Sequence, residues 1–398
     1  AQRQAFSNQV LPALAANYQQ SVFYQLDLER LSDRYAKDGL PEPEIIQSGV
    51  PAMEEIHNRM LLARIYQKKS RDWQNMEKQA FQLLKEAMLH NADLGTMNPK
   101  RHVLSDQIVW ARSPVRLDLA GGWSDTPPYC IINGGKVMNL AVELNGQPPV
   151  QVYITPSDSL QIRIKSIDLG QEYRIETYQD LEDYDQVGAG FTIAKAALML
   201  SGFHPSFGAL HGTLKAQLKD FGGGFDISLL AAIPKGSGLG TSSVLAATLL
   251  GALAEYCGLE RDEVTLGQKT LLLEQLLTTG GGWQDQYGGI LPGAKLIETA
   301  PGFGQAPEIR WLPEHLFRNE AYQASMLLYY TGVTRVAKNI LGEIVRRMFL
   351  NHRETLGILN EIKANAVHIA EAIRKNSLND FNERIAYSWQ LNQRLDSG

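Results

Sequence analysis

Between Ile233 and Val244 the chain reads Pro234-Lys235-Gly236-Ser237-Gly238-Leu239-Gly240-Thr241-Ser242-Ser243. The alternating glycines permit positive φ and let backbone N–H groups come close to a ligand. Thr241, Ser242 and Ser243 then fall where a helix would start, and free N–H groups and the helix dipole there favour an anion. The spacing is neither Gly-x-x-x-x-Gly-Lys-Ser/Thr nor the dinucleotide fingerprint. A capped turn would account for a bare Gly-x-Gly. A run of this length followed by hydroxyls points instead to a bound phosphate.

Other segments carry groups that could act beside a phosphate. Arg116 and Asp118 alternate with apolar residues, as on a strand with one polar face, and Gly121-Gly122 then turns the chain into Trp123-Ser124-Asp125. A carboxylate beside an aromatic ring suits a sugar, whose hydroxyls need acceptors and whose apolar face needs cover. Glu274 lies between Leu271 and Leu277 on a helical stretch, where a carboxylate needs a cation or a donor. Asp285 follows Gly281-Gly282-Trp283-Gln284, and Tyr329-Tyr330-Thr331-Gly332-Val333-Thr334-Arg335 gathers polar groups at a turn. Each of these alone is as well explained by a solvated acid or a capped loop. Their combination with the glycine run gives them weight.

The elements that must position these residues follow from periodicity. Residues from about 8 to 95 are helical in pattern, with stretches at Met53–Gln67 and Trp73–Leu89. From about residue 103 strands begin, at Ile108–Arg112 and Lys136–Leu144. Val150–Ile154 and Leu160–Ile167 read as a hairpin closed by Pro156-Ser157-Asp158-Ser159. A helix near Phe191–Ser201, a strand over Phe225–Ile233 and a buried helix after Ser243 come next, then a long helix over Glu263–Thr278. Ala324–Tyr330 is strand-like, and helical stretches cover Val336–Leu350, Arg353–Lys375 and Leu378–Leu395. The layout is α/β (α+β) with a helical extension in front. The expected divisions are 1–102, 103–296 and 297–398.

Bulk composition narrows the function. The chain has 398 residues, 44% hydrophobic and 20% charged, as in a soluble globular protein. A net charge of −5 argues against nucleic acid as an obligate partner. Cys130 and Cys257 show no metal-like spacing and no disulfide framework, which fits the cytoplasm. No signal peptide or long apolar span appears, so no membrane partner is expected.

Taken together, these segments resemble the GHMP kinases, the family of galactokinase, homoserine kinase and mevalonate kinase. Pro234–Ser243 matches the family's Pro-x-x-x-Gly-Leu-Gly-Ser-Ser loop, with Thr241 replacing the first Ser. Gly121-Gly122-Trp123-Ser124-Asp125-Thr126-Pro127-Pro128 resembles the L-fucokinases in particular, among them the kinase part of bifunctional fucokinase/GDP-fucose pyrophosphorylases. The resemblance implies a ribosomal protein S5 domain 2-like N-terminal domain followed by an α/β C-terminal domain. That second domain is expected to be incomplete, because no Gly-Ala-Gly-Gly-Gly motif follows Gly357. The helical front would then link the kinase to a nucleotidyltransferase domain; a homo-oligomer is compatible with the sequence.

The resemblance also implies roles. Pro234 to Ser243 would wrap the phosphates of ATP, and Ser242 and Glu274 would hold Mg²⁺. Asp285 would be the catalytic base, and Arg116 a cation beside the transferring phosphoryl group. Trp123, Ser124, Asp125 and Thr334 would meet the sugar. The implied reaction is L-fucose plus ATP giving β-L-fucose 1-phosphate and ADP, in GDP-fucose salvage. A heptose-phosphate kinase and a non-catalytic nucleotide or sugar sensor are the alternatives.

Overall fold

The computed structural model describes residues 2–47, 51–91, 95–186, 189–209, 211–234, 236–277, 281–330, 332 and 337–396. Helices form the front of the chain: α1 (Gln2–Ala16), α2 (Leu28–Lys37), α3 (Ala52–Lys68) and α4 (Gln74–Asn91). Asp27 caps α2 by accepting from the Arg30 amide. The apolar faces of these helices bury Leu28, Tyr35, Ile56, Leu61, Leu84 and Met88 in one core. That core also holds residues from the far end of the chain, such as Phe349, Leu359 and Leu391. The helical front is therefore continuous in packing with the C-terminal helices.

Among the described residues, nine strands follow in two sheets: β1 (Val109–Ser113), β2 (Val115–Ala120), β3 (Lys136–Val142), β4 (Val150–Ser157), β5 (Ile162–Ser166), β6 (Gln171–Ile175), β7 (Gly224–Ala231), β8 (Ala294–Glu298) and β9 (Glu308–Trp311). The five-stranded sheet has the order β1-β4-β7-β5-β6, and the four-stranded sheet the order β2-β3-β8-β9. Period-two alternation buries Val152, Ile154, Ile162, Ile164, Phe225 and Ile227 on one face of the larger sheet. Two helices pack on that sheet, α6 (Thr192–Leu198) and α8 (Thr241–Cys257). The short α5 (Tyr129–Asn133) precedes α6 in the chain, and α7 (Leu214–Phe221) lies between α6 and α8. The helix α8 is apolar nearly all round and correspondingly buried.

Beyond α8 come α9 (Glu263–Leu276), capped by Asp262, and α10 (Gln284–Ile290). After the two short helices α11 (His315–Arg318) and α12 (Glu320–Ser325), the chain ends in α13 (Ala337–Phe349), α14 (Arg353–Arg374) and α15 (Leu378–Leu395). Ala366, Ile369 and Ile373 of α14 close the smaller sheet over Ala120, Met138 and Leu296. Among the described residues, no helix is long and apolar enough to cross a membrane.

Two expectations change. β4 and β5 do not form a hairpin: β7 lies between them, antiparallel to β4 and parallel to β5. Instead β5 pairs with β6, and Ile164 and Ile227 lie side by side across the parallel junction. Ala324–Tyr330 is not a strand. Its start belongs to α12, and Met326 to Tyr330 have no regular structure and are exposed, with Leu327 86% accessible. A strand needs a neighbour for its backbone groups, and no described strand pairs here. Residue 296, where the second expected division ends, lies in β8, which pairs with β3 and β9 in the smaller sheet.

Candidate functional site

The glycine loop turns β7 into α8. Gly236, Gly238 and Gly240 all have positive φ, from 73° to 78°. At Gly240 this is obligatory twice over, because a Cβ there would also press on the Asp285 carboxylate. Ser237 Oγ is buried without a hydrogen-bond partner, a polar group left for a ligand. Lys235 lies outside the described residues.

The loop rests on an ion pair contributed by two distant elements. Arg116, on β2 and only 9% exposed, donates through Nε to Asp285 Oδ1 at 2.7 Å. Its Nη1 donates to the Gly238 carbonyl at 2.9 Å. One guanidinium thus joins the acid at the start of α10 to the glycine loop. The planar fork of arginine makes both contacts at once, which a lysine could not do.

Glu274 projects from α9 and accepts a hydrogen bond from Ser243 Oγ. Ser243, rather than Ser242, makes this contact; Ser242 is exposed and lines the adjoining cavities. Asp125, 1% exposed, accepts from the Gln284 amide at 3.0 Å and from Gln284 Nε2 at 3.3 Å. Gly281 and Gly282 leave room for these acids: a Cβ at either would collide with the Glu274 or the Asp125 carboxylate.

These groups line a cleft of about 490 Å³ together with Asp118, Trp123 and Asn392 of α15. Asp118 shares the strand face of Arg116, and the two-residue spacing in the sequence was its signal. Asn392 carried no local signal, because it arrives on the last helix from far along the chain. Ser124 does not line this cleft. It is fully buried, its Oγ lies 2.6 Å from the Gly121 carbonyl, and it accepts from the Lys136 amide at 3.1 Å. Its hydroxyl is engaged by the backbone of Gly121 and Lys136. Thr334 lies outside the described residues.

The cleft carries more acid than base. Burial raises the Glu274 carboxyl to about 8, with the nearby Asp285 charge adding to it. Burial likewise raises Asp125 to about 7. Asp118 is partly open but walled by protein, and poor solvation lifts it to about 6. Among the described residues lining the cleft, Arg116 is the one cation. No three described acidic, histidine or cysteine side chains converge as a ready-made metal cage. The surplus oxygen donors suit a hard divalent cation held by one or two carboxylates, the rest of its shell coming from phosphate and water.

A second cavity of about 470 Å³ opens on the other side of the loop, between Phe191, Ile193, Leu229, Ala231 and Leu245. Gly236, Thr241 and Ser242 form its inner wall, and Ser242 borders both spaces. The first turn of α8 therefore divides an apolar slot from an acid-rich cleft.

Residues 208–293 match the family described as the GHMP kinases N terminal domain. The whole chain is 51% identical to the L-fucokinase/L-fucose-1-P guanylyltransferase of Bacteroides fragilis, of which it covers 42%. Over 71% of its length it is 31% identical to the bifunctional fucokinase/GDP-fucose pyrophosphorylase of Arabidopsis thaliana, covering 26% of that protein. The chain thus spans less than half the length of these relatives. In fold it is similar to a D-glycero-D-manno-heptose 1-phosphate kinase from Bacteroides thetaiotaomicron, with a TM-score of 0.53, 20% identity and coverage of 72% of this chain and 80% of that one.

Proposed function

We propose that this chain, which matches the GHMP kinases N terminal domain over residues 208–293, transfers the γ-phosphoryl group of ATP to the anomeric hydroxyl of L-fucose. The observation that carries this reading is the link from Asp285 through Arg116 to the Gly238 carbonyl. It sets an acid, a cation and a phosphate loop within one hydrogen-bonded unit. Phosphoryl transfer asks for positioning and charge neutralisation more than for covalent chemistry.

In this reading the apolar slot takes the nucleotide base and the acid-rich cleft takes the sugar. The triphosphate lies across the α8 start, against Gly236, Ser237, Gly238 and the Thr241 and Ser242 amides. Trp123 covers the apolar face of the sugar, and Asp125 and Asp118 accept from its hydroxyls. Asp285 accepts the proton of the attacking hydroxyl, and Arg116 stabilises charge on the transferred group. Glu274, with Ser243 and Ser242 beside it, is the place for Mg²⁺, which would neutralise phosphate charge when bound. With Arg116 already paired, the cleft has no further described cation for an acceptor that carries its own phosphate. This favours a plain sugar over a heptose phosphate.

The names of the two relatives pair fucokinase with guanylyltransferase or pyrophosphorylase. By analogy, a nucleotidyltransferase that consumes the sugar 1-phosphate is the partner we assign to this chain. Both cysteines are buried free thiols, in keeping with a cytoplasmic setting.

The test is ADP release with Mg²⁺-ATP against L-fucose, D-arabinose, L-galactose, D-galactose and a heptose 7-phosphate. Saturable turnover with L-fucose is expected. Turnover with the heptose phosphate alone would overturn the substrate, and nucleotide binding without turnover on any sugar would overturn the kinase reading.

A further inference from the structure

A third cavity, of about 300 Å³, lies away from the phosphate loop, where α4 meets α9. Met88 and Asn91 of α4, Leu271 and Leu272 of α9, and Phe303 and Gln305 of the β8–β9 connection wall it. Lys269 of α9 lies in this wall and is only 7% exposed. Its ammonium has one hydrogen-bond partner, the Met97 sulfur at 3.8 Å, and no described carboxylate within ion-pair distance. Thioether sulfur is a weak acceptor, so a buried cation stands here nearly uncompensated. Desolvation accordingly lowers its pKa, and the charges of Glu260 and Asp262 only partly oppose this. Glu260 lines the cavity and is exposed, whereas Asp262 is committed to capping α9.

We propose that this cavity is a second ligand site, taking a small organic monoanion: a carboxylate head that pairs with Lys269 and an apolar body that lies along Met88, Leu271, Leu272 and Phe303. One cation balances one negative charge, and Glu260 in the wall repels a second. Met88, Leu271, Leu272 and Phe303 give part of the wall an apolar face, which favours an organic body over a bare inorganic ion.

The site is wired to the cleft. Gln305 Oε1 accepts from Trp283 Nε1 at 3.1 Å, and Gln305 Nε2 donates to the Gly302 carbonyl at 2.6 Å. Trp283 is fully buried, shares its core with Leu271 and Leu272, and immediately precedes the α10 turn that carries Gln284 and Asp285. A ligand against Gln305 is thus felt at the indole, and through it at the acid. The binding site stands on this geometry alone; only an effect on turnover would rest on the kinase reading.

The experiment titrates the whole chain, without ATP, with 3-phenylpropionate, hexanoate, hexylammonium and inorganic phosphate. Binding is followed by calorimetry and by the Trp283 indole N–H resonance, identified with Trp283→Phe. The carboxylates are expected to bind saturably and shift that resonance. Lys269→Met, which replaces a buried charge by an apolar side chain of similar length, should weaken them at least about tenfold. Leu272→Trp, which fills the cavity, should abolish binding while leaving the circular dichroism unchanged. Absence of saturable carboxylate binding, equal affinity in Lys269→Met, or tighter binding of phosphate or hexylammonium would each overturn the proposal.

Discussion

The two spaces on either side of the α8 start share a wall and almost nothing else. The slot toward Phe191 and Leu245 is apolar, and among the described residues only Asp168 brings a charge to it. The cleft toward Asp285 gathers Asp118, Asp125, Glu274 and Asp285 around one guanidinium. On the proposed reading, a single helix start serves two tasks. Apolar walls hold a planar group by burial, whereas crowded carboxylates store a negative potential that a metal and a proton in transit can use. Poor solvation raises the carboxyls of Asp118, Asp125 and Glu274, and Arg116 donates a hydrogen bond to Asp285.

The largest expected break in this comparison is Arg116→Met. It removes the link between Asp285 and the loop, and turnover should fall by about 10³-fold while the affinity for a non-hydrolysable ATP analogue stays within about twofold, as read by steady-state kinetics and calorimetry. Ala231→Trp attacks the other side. It fills the apolar slot, so analogue affinity should drop by about tenfold, with kcat at saturating ATP changing much less.

The acid-rich cleft also has a signature in stability. Asp118, Asp125 and Glu274 hold protons in the folded state that the unfolded chain releases near pH 4. The folded protein therefore binds more protons across that interval, and stability falls as pH rises toward 8. Urea unfolding without Mg²⁺ or nucleotide should show this decline, and Glu274→Gln should flatten its upper part.

Smaller still is the effect of Lys295, buried on β8 and donating to the carbonyls of Gly288 and Gly293 at 3.1 and 3.2 Å. Burial lowers its ammonium to about 7. Between that value and the ordinary lysine value only the unfolded chain is protonated, so this group makes stability rise with pH. Lys295→Met should erase that rise in unfolding curves taken from pH 7 to 10.

Much of this was legible in the sequence. The glycine run, the α9 and α14 boundaries and the strand ahead of the loop follow from glycines, caps and periodicity, which act locally. The β4–β5 hairpin misled because a Pro-Ser-Asp-Ser turn is also a route around an intervening strand, and nothing local reveals β7 between them. In sequence, a hydroxyl beside an aromatic residue such as Ser124 reads the same whether it faces a sugar or a backbone carbonyl, and here it donates to the Gly121 carbonyl. The sequence puts Ser243 in the loop but does not reveal its contact with Glu274, which depends on how α8 is rotated over α9. Asn392 was beyond reach, because its place in the cleft is set by packing of the last helix.

The most direct test is a single-turnover assay of Asp285→Asn with L-fucose and Mg²⁺-ATP, run beside a measurement of ATP-analogue affinity. The account predicts loss of phosphoryl transfer by about 10³-fold with nucleotide affinity intact. Wild-type transfer rates in this variant, or loss of nucleotide affinity in step with turnover, would contradict the division of labour between the two sides of the loop.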